Sequence, residues 1–464
     1  MINDHIISLI KQKLNYAPTL EQEKIIVKLS LFIADRGSDF TFLLKGYAGT
    51  GKTSLVAALV KALNELKIRT VLMAPTGRAA KVFSSYASTS ACTIHKKIYR
   101  QKSIEGGTGL FALAPNMHSD TVFIVDEASM IASGSYEQSV FGSGNLLDDM
   151  MEYVKSGKRC KLIIVGDDAQ LPPVGFPISP ALDISRLKMY GDCVSAELTE
   201  VVRQSAESGI LFNATAIRKQ IENKEVHHPV FHSEGFTDIE FVSGYDLLEA
   251  ISDAYSQYGR EETIILCRSN KRANRYNEGV RRSVLYMEEE VESGDRLMVV
   301  KNNYQSLKDV EETDFIANGD MARVRRIRKY YERYGMRYVD ADIELEDYGG
   351  IEIDAKLILD TLTIESASLS AEKNRELFYA VCEDYAHIGD KRKRFNAVRD
   401  DLFFNALQVK FAYAVTCHKA QGGQWKCVFL DRPYFPDGGF SFEDLRWFYT
   451  AVTRAVDKLY LVNF

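Results

Sequence analysis

The stretch "GYAGTGKT", Gly46 to Thr53, decides how this chain folds. It fits the pattern G-x-x-x-x-G-K-[ST]. An apolar run, "FTFLL" (40–44), precedes it, and "TSLVAALVKALNELK" follows with apolar residues at helical spacing. Strand, glycine-rich turn and helix are the context such a loop needs. Its backbone N–H groups converge at a helix N-terminus and cradle phosphates. Lys52 reaches the outer phosphates, and the Thr53 hydroxyl is placed to ligate Mg²⁺. The competing reading is a chance match, which the flanking strand and helix argue against.

The strand–helix pattern recurs outward from this loop. "TVLMAP" (70–75), "TVFIVDE" (121–127) and "KLIIVGD" (161–167) read as buried strands, and "GRAAKVFSSY" reads as a helix. Short apolar runs alternating with helices predict a parallel sheet covered on both faces. A second series begins near residue 238: "DIEFV", "TIILCRS" (263–269), "DRLMVV" (295–300), "VKFAYAVT" (409–416), "CVFLD" (427–431) and "KLYLVNF". Between about 320 and 405 the texture changes. "MARVRRIRKYYERYGMRYVDADIELEDYGGIEIDAKLILDTLTI" alternates polar and apolar residues around turn-like glycines, as antiparallel hairpins or a small barrel do. A charged helical stretch follows it.

Composition limits the choice of class. A chain of 464 residues exceeds a single core. Its 46% hydrophobic and 26% charged content is that of a globular protein. The formal net charge of −6 excludes a histone-like basic binder, though not a local positive groove. Seven cysteines with no C-x-x-C pair signal neither a zinc site nor a disulfide framework. Reduced thiols in a cytoplasmic setting are expected. No secretory signal and no transmembrane stretch is read.

Two further segments extend the phosphate-loop chemistry. "TVFIVDEASM" sets Asp126 and Glu127 at a strand's C-terminal end, where ligands bind in open α/β sheets. Asp126 is expected to hold Mg²⁺ through water, and Glu127 to orient and deprotonate a water. "VGDDAQLPPV" ends the next strand and places Gln170 to touch a γ-phosphate. A charged turn and a proline-stiffened turn are the bland alternatives.

With these motifs the chain resembles superfamily 1 helicases, and within them the RecD/Dda-type branch. The likeness runs in family order from residue 19 to 455. "TLEQEKII" resembles the Q motif, which implies Gln22 as an adenine contact. The two nucleotide motifs imply ATP and Mg²⁺ held by Gly46, Ala48, Gly49, Thr50, Gly51, Lys52, Thr53 and Ser54, with Asp126 as the second metal residue. "APTGRAAKVF" and "CTIHKKI" are similar to strand-contacting segments and imply Pro75, Thr76, Arg78, Thr93 and His95. "LTEVVRQ" implies that Arg203 reaches the γ-phosphate, and "FYTAVTRA" implies the same of Arg454. "VTCHKAQGGQW" implies Thr416, His418 and Lys419 on nucleic acid, with Asn270 beside them. It departs from the family at Gln424, where many relatives carry Glu. "ANGDMARV" resembles the segment that opens an inserted barrel.

The resemblance implies two RecA-like P-loop domains with small insertions, one of them an SH3-like β-barrel. The expected boundaries are 1–205 for the first domain, with a pin-like insertion at about 96–119. Residues 206–319 and 406–464 form the second domain, and 320–405 the inserted subdomain. The short segment before the Q motif implies the compact Dda-type layout. Lys52, Glu127, Gln170, Arg203 and Arg454 are the expected catalytic set.

The function implied is an ATP-dependent helicase that moves 5′→3′ on single-stranded DNA and opens duplexes. Its partners would be single strands and their junctions, with a single-strand-binding protein or replication and recombination proteins, and the enzyme would act as a monomer away from membranes. An RNA helicase and a non-unwinding nucleic-acid-dependent ATPase are the alternatives. A nuclease subunit is disfavoured, because no further cluster of carboxylates with lysine lies outside the ATPase motifs. Phe111 is read either as a base-stacking wedge or as tucked into a plain loop. The basic runs "RVRRIRKYYER" and "KRKRF" are read either as strand contacts or as solvated, neutralised faces.

Overall fold

Phe42, Leu43 and Leu44 are wholly buried, so the strand they form has no wet face. The computed structural model describes residues 2–35, 40–101, 111–134, 141–201, 207–303, 316–435 and 439–464. That first strand is β1, Thr41–Gly46. β2 (Arg69–Ala74), β3 (Ala91–Thr93), β6 (Thr121–Val125), β7 (Lys161–Gly166) and β8 (Cys193–Leu198) join it in a parallel sheet ordered β3-β2-β6-β7-β1-β8. Successive side chains alternate between faces. Phe42, Leu44, Ile163 and Val165 pack under helices Ile2–Lys13, Leu20–Ala34 and Lys52–Glu65. Leu43, Leu162 and Ile164 pack on the other side with helix Leu146–Ser156. Unbroken apolar runs therefore mark a sheet covered twice.

A short antiparallel pair, β4 (Tyr99–Gln101) with β5 (Phe111–Leu113), rises beside this sheet. It falls within the expected insertion at about 96–119, and the segment between these strands lies outside the described residues. Phe111 is 6% exposed and packs on Phe141 with ring centroids 4.8 Å apart. The tucked reading holds, and the wedge reading for Phe111 does not.

The second parallel sheet runs β16-β10-β17-β18-β9. Its strands are β9 (Ile239–Val242), β10 (Thr263–Cys267), β16 (Ala414–Thr416), β17 (Trp425–Asp431) and β18 (Ala455–Val462). Five more strands close into a barrel: β11 (Arg296–Val299), β12 (Met321–Arg333), β13 (Met336–Leu345), β14 (Ile351–Ile358) and β15 (Leu407–Phe411). Two runs expected in the second sheet, "DRLMVV" and the front of "VKFAYAVT", supply β11 and β15 instead. The fully buried strand pattern is the same in both settings, so the apolar run alone could not separate them. The barrel interior (Leu297, Val324, Ile343, Leu357) continues into the core against Ile265 and Phe429 of the second sheet.

The basic stripe on β12 is neutralised locally. Arg325 pairs with Glu344 at 2.5 Å, Arg328 with Asp354 at 2.6 Å and Arg323 with Glu346 at 3.5 Å. Exposed pairs of this kind add little to stability, but they leave the stripe with little free charge.

The barrel also touches the first sheet's helices. Lys81 donates to the Glu346 carbonyl at 2.7 Å. A side chain at Gly77 would strike the Asp320 carboxylate, so glycine is required at this approach. Asp320 accepts from Tyr348 and the Ala317 amide, each at 2.6 Å, while its buried Oδ1 has no partner. Burial first, and the Asp347 charge second, push its carboxyl from 3.8 up to about 7. A carboxyl raised on folding binds its proton more tightly in the native state. Its contribution is therefore fully present below pH 4 and is lost as pH climbs through 7. Denaturation midpoints of the wild type should fall from pH 5 to pH 8, and those of Asp320→Asn should fall much less.

Candidate nucleotide cleft and nucleic-acid interface

The loop after β1 is shaped by glycine. Gly49 and Gly51 adopt φ of 78° and 81°, the left-handed region that costs other residues strain. Gly51 caps helix Lys52–Glu65 without a side-chain hydrogen bond. The helix's leading N–H groups are thus left for an anion. Lys52 Nζ rests 3.0 Å from the Tyr47 carbonyl and 4.0 Å from Asp167 Oδ2. Gly46 leaves room for it, since a Cβ there would press on the lysine stem.

Residues from both sheets wall a cleft of about 550 Å³ over this loop. The first sheet supplies Asp126, Glu127 and Gln170, and the second supplies Gln424, Thr453 and Arg454. Gln170 is 6% exposed, and its Oε1 is buried with no partner. An orphaned acceptor over an anion cradle fits a ligand that brings its own donor, such as a metal-bound water. Thr53 and Ser54 are exposed on the cleft wall. The loop, its helix terminus and Lys52 fit a nucleoside triphosphate, and the Thr53 hydroxyl and Asp126 carboxylate, which line the same cleft, fit the oxygen-only preference of Mg²⁺.

Two carboxylates sit at the end of β6. Asp126 Oδ1 accepts from the Glu127 amide at 2.8 Å, and Tyr86 donates to Oδ2. Glu127 takes φ of 53°, an uncommon conformation for a residue with a side chain, and turns its carboxylate into the cleft. Burial raises both carboxyls. For Glu127 the charge of Arg454 opposes that shift and the charge of Asp126 adds to it. A raised carboxyl in a cleft is suited to taking a proton.

Arg454 is 2% exposed. Its Nε donates to the Thr450 carbonyl and its Nη1 to the Gly423 carbonyl, both at 3.1 Å. The same Nη1 lies 3.9 Å from Glu127 Oε1. Local carbonyls hold the guanidinium while its tip faces the first sheet's carboxylate. Arg203 lies outside the described residues.

Other groups in the cleft lie inside the motifs but were assigned no role from the sequence. Tyr449 donates to Asp167 Oδ2 at 2.8 Å and accepts from the Ala48 amide at 2.8 Å. Asp167 is 1% exposed and is raised by burial. Thr450 accepts from the Leu171 amide at 2.8 Å, and Gln421 donates to the Leu171 carbonyl at 2.7 Å. These bonds stitch the "GDDAQLPPV" loop to the second sheet. Tyrosines beside motif carboxylates are invisible to spacing rules, because their partners are hundreds of residues away.

Gln22 is fully buried and does not line the cleft. Its Oε1 accepts from the Thr19 amide, closing a capping box, and its Nε2 donates to Thr50 O at 3.1 Å and Tyr16 OH at 3.2 Å. Its amide is fully used in bracing the phosphate loop, and Tyr16 is the group presented to the cleft. Gln424 is exposed at the cleft mouth.

The expected nucleic-acid residues fall at strand ends. Pro75 and Thr76 follow β2, Thr93 ends β3, Asn270 lies just past β10 and Thr416 ends β16. Thr76 and Thr93 cap the helices Gly77–Ala87 and Ile94–Ile98, accepting from Ala79 at 3.2 Å and Lys96 at 3.1 Å. The bland reading of these two hydroxyls is thus present in the structure. His95 packs on Phe141 at 4.8 Å, and burial drives its pKa down to about 4. Arg78 turns to the second sheet, donating to the Gln424 carbonyl at 3.2 Å over the Trp425 ring. Burial also lowers His418. Lys419 donates to Asn318 at 2.5 Å. Among the described residues no cluster of three or more His, Cys, Asp or Glu could hold a metal, and no helix is long and apolar enough to cross a membrane.

The fold and the cleft define a P-loop NTPase whose nucleotide site lies between two parallel-sheet units. Comparison with known proteins narrows the class. Residues 34–229 match the AAA domain family, and residues 411–462 match the UvrD-like helicase C-terminal domain. The ATP-dependent DNA helicase dda of Enterobacteria phage T4 is 25% identical over 84% of this chain and 87% of its own length. The ATP-dependent RecD2 DNA helicase of Deinococcus radiodurans is 28% identical over 36% of this chain and 20% of its own. A Bacteroides Pif1 helicase solved with ADP-AlF3 and single-stranded DNA aligns over 97% of this chain and 93% of that one, at 16% identity and a TM-score of 0.48. The family matches and the helicase relatives together support a superfamily 1 helicase of the RecD/Dda-like kind.

Proposed function

We propose that this protein is an ATP-dependent DNA helicase that moves 5′→3′ along a single strand. The observation that carries the reading is the cleft, where a phosphate loop from one sheet faces a buried arginine from the other. Nucleotide occupancy then sets the spacing of two strand-gripping units, which is a hinge device. In this division the first unit ends near residue 205. The second is interrupted by the barrel, whose strands run from Arg296 to Phe411.

Each residue has a defined task. Lys52 and the loop amides bind and neutralise the phosphates. Thr53 and Asp126 would hold Mg²⁺, which supplies charge neutralisation on the β- and γ-oxygens. Glu127, raised by burial, accepts the proton of the attacking water. Gln170 reports γ-phosphate to the loop that the second sheet grips. Arg454, held by two carbonyls, meets the charge that spreads over the γ-oxygens, and Arg203 is its assigned companion. The planar guanidinium suits that task better than an ammonium does. Pro75, Thr76, Arg78, Thr93, His95, Asn270, Thr416, His418 and Lys419 form the sequence-tolerant strand track. Tyr16, held by Gln22, takes the adenine side of the cleft.

Strand displacement tests the reading. With ATP and Mg²⁺ a 5′-tailed duplex should open and a 3′-tailed one should not. ATP hydrolysis without displacement of either would leave the non-unwinding ATPase reading. Arg454→Ala should lower kcat by about a thousandfold or more with little change in nucleotide affinity. Weakened ATP binding with unchanged turnover at saturation would refute that role.

A further inference from the structure

Lys410 belongs to no nucleotide or strand motif. It lies on β15, only 5% exposed, in a narrow recess where the barrel meets the second sheet. The recess holds about 10 Å³, room for a single oxygen atom. Asn270, Thr416 and Lys419 line the same recess. Two lysines therefore line one recess, close enough for the charge of one to act on the other.

Among the described residues neither ammonium has an anionic partner. Lys410 donates to the Ile364 carbonyl, and Lys419 to the Asn318 amide oxygen. Glu365, next along the chain, pairs instead with Lys271 at 3.4 Å. Burial lowers both lysines to about 8, and the charge of Lys419 adds to the shift on Lys410. Burying like charges side by side costs free energy unless an anion joins them. A hydroxyl, an amide and two ammonium groups around a one-oxygen recess are the donor set for a phosphoryl oxygen.

We propose that Lys410 and Lys419, with the Asn270 amide and the Thr416 hydroxyl, form a socket for one backbone phosphate of the bound single strand. The socket rests on the helicase reading and adds Lys410, a barrel residue, to the strand track. It ties the strand to the joint between barrel and second sheet, so the barrel moves with the unit that grips. It takes phosphate rather than base, and so carries no sequence preference.

The test is the salt dependence of oligothymidylate binding, followed by fluorescence anisotropy. Lys410→Met keeps the apolar stem and removes the charge. Lys410→Gln repeats the measurement with a polar end in case the methionine packs badly. Each variant should bind about tenfold more weakly or worse at low salt. The slope of log affinity against log salt should shrink by about 0.7, the loss of one phosphate contact. A single methylphosphonate linkage should weaken the wild type at one position and leave the Lys410 variants unaffected there. Wild-type binding with an unchanged slope in both variants would overturn the socket, including the case in which the recess takes only free phosphate. Failure of the wild type itself to bind the oligonucleotide would overturn the helicase reading as well.

Discussion

The Tyr449 hydroxyl joins the two halves of the cleft at the phosphate loop. Tyr449, from the second sheet's unit, accepts the Ala48 amide of the phosphate loop and donates to buried Asp167. Asp167 in turn stands 4.0 Å from Lys52. Withdrawing Tyr449 would leave a buried carboxylate short of a partner, at a cost of about 1–3 kcal/mol. The phosphate loop, the "GDDAQLPPV" loop and the second sheet are thus held in one arrangement. Events at the γ-phosphate have a short path to the second unit through this bond and through the Leu171 backbone, which Thr450 and Gln421 hold.

The same helix end carries Arg454, whose environment joins two roles. Donation to the Thr450 and Gly423 carbonyls offsets the burial of its charge. Those bonds also fix where the guanidinium tip points. Glu127 answers from the other side on a left-handed backbone, a conformation that only surrounding structure can maintain. A flexible arginine would lose entropy on meeting a phosphate, and this one has already lost it. The second unit's proposed contacts to nucleic acid and to nucleotide lie on neighbouring segments, because residues 416–424 run from the end of β16 to the cleft mouth.

Much of this was legible in the sequence. Apolar runs ending in glycine or paired carboxylates marked the first parallel sheet, and bare apolar runs marked β9, β10, β17 and β18 of the second, since burial on two faces leaves a one-dimensional trace. The motif order gave the cleft. Three things were hidden for physical reasons. β11 and β15 look like any buried strand, and only long-range pairing assigns them to the barrel. Gln22 reads as a base contact, yet its amide is fully used on Thr19, Tyr16 and Thr50. Tyr449 acts through partners hundreds of residues away in the chain, and a tyrosine in an apolar run reads as core. The basic stripe on β12 illustrates the reverse case, in which the acidic run that follows it correctly signalled neutralisation.

The central claim is that nucleotide turnover in the cleft is coupled to a strand held across both units. The most direct measurement is steady-state ATP hydrolysis by the full chain in Mg²⁺, with single-stranded DNA, with RNA of the same sequence, and with neither. Turnover should rise several-fold with DNA and much less with RNA, and Lys52→Ala should abolish it under every condition. Equal turnover with and without DNA would contradict the coupling, and stimulation by RNA alone would contradict the substrate.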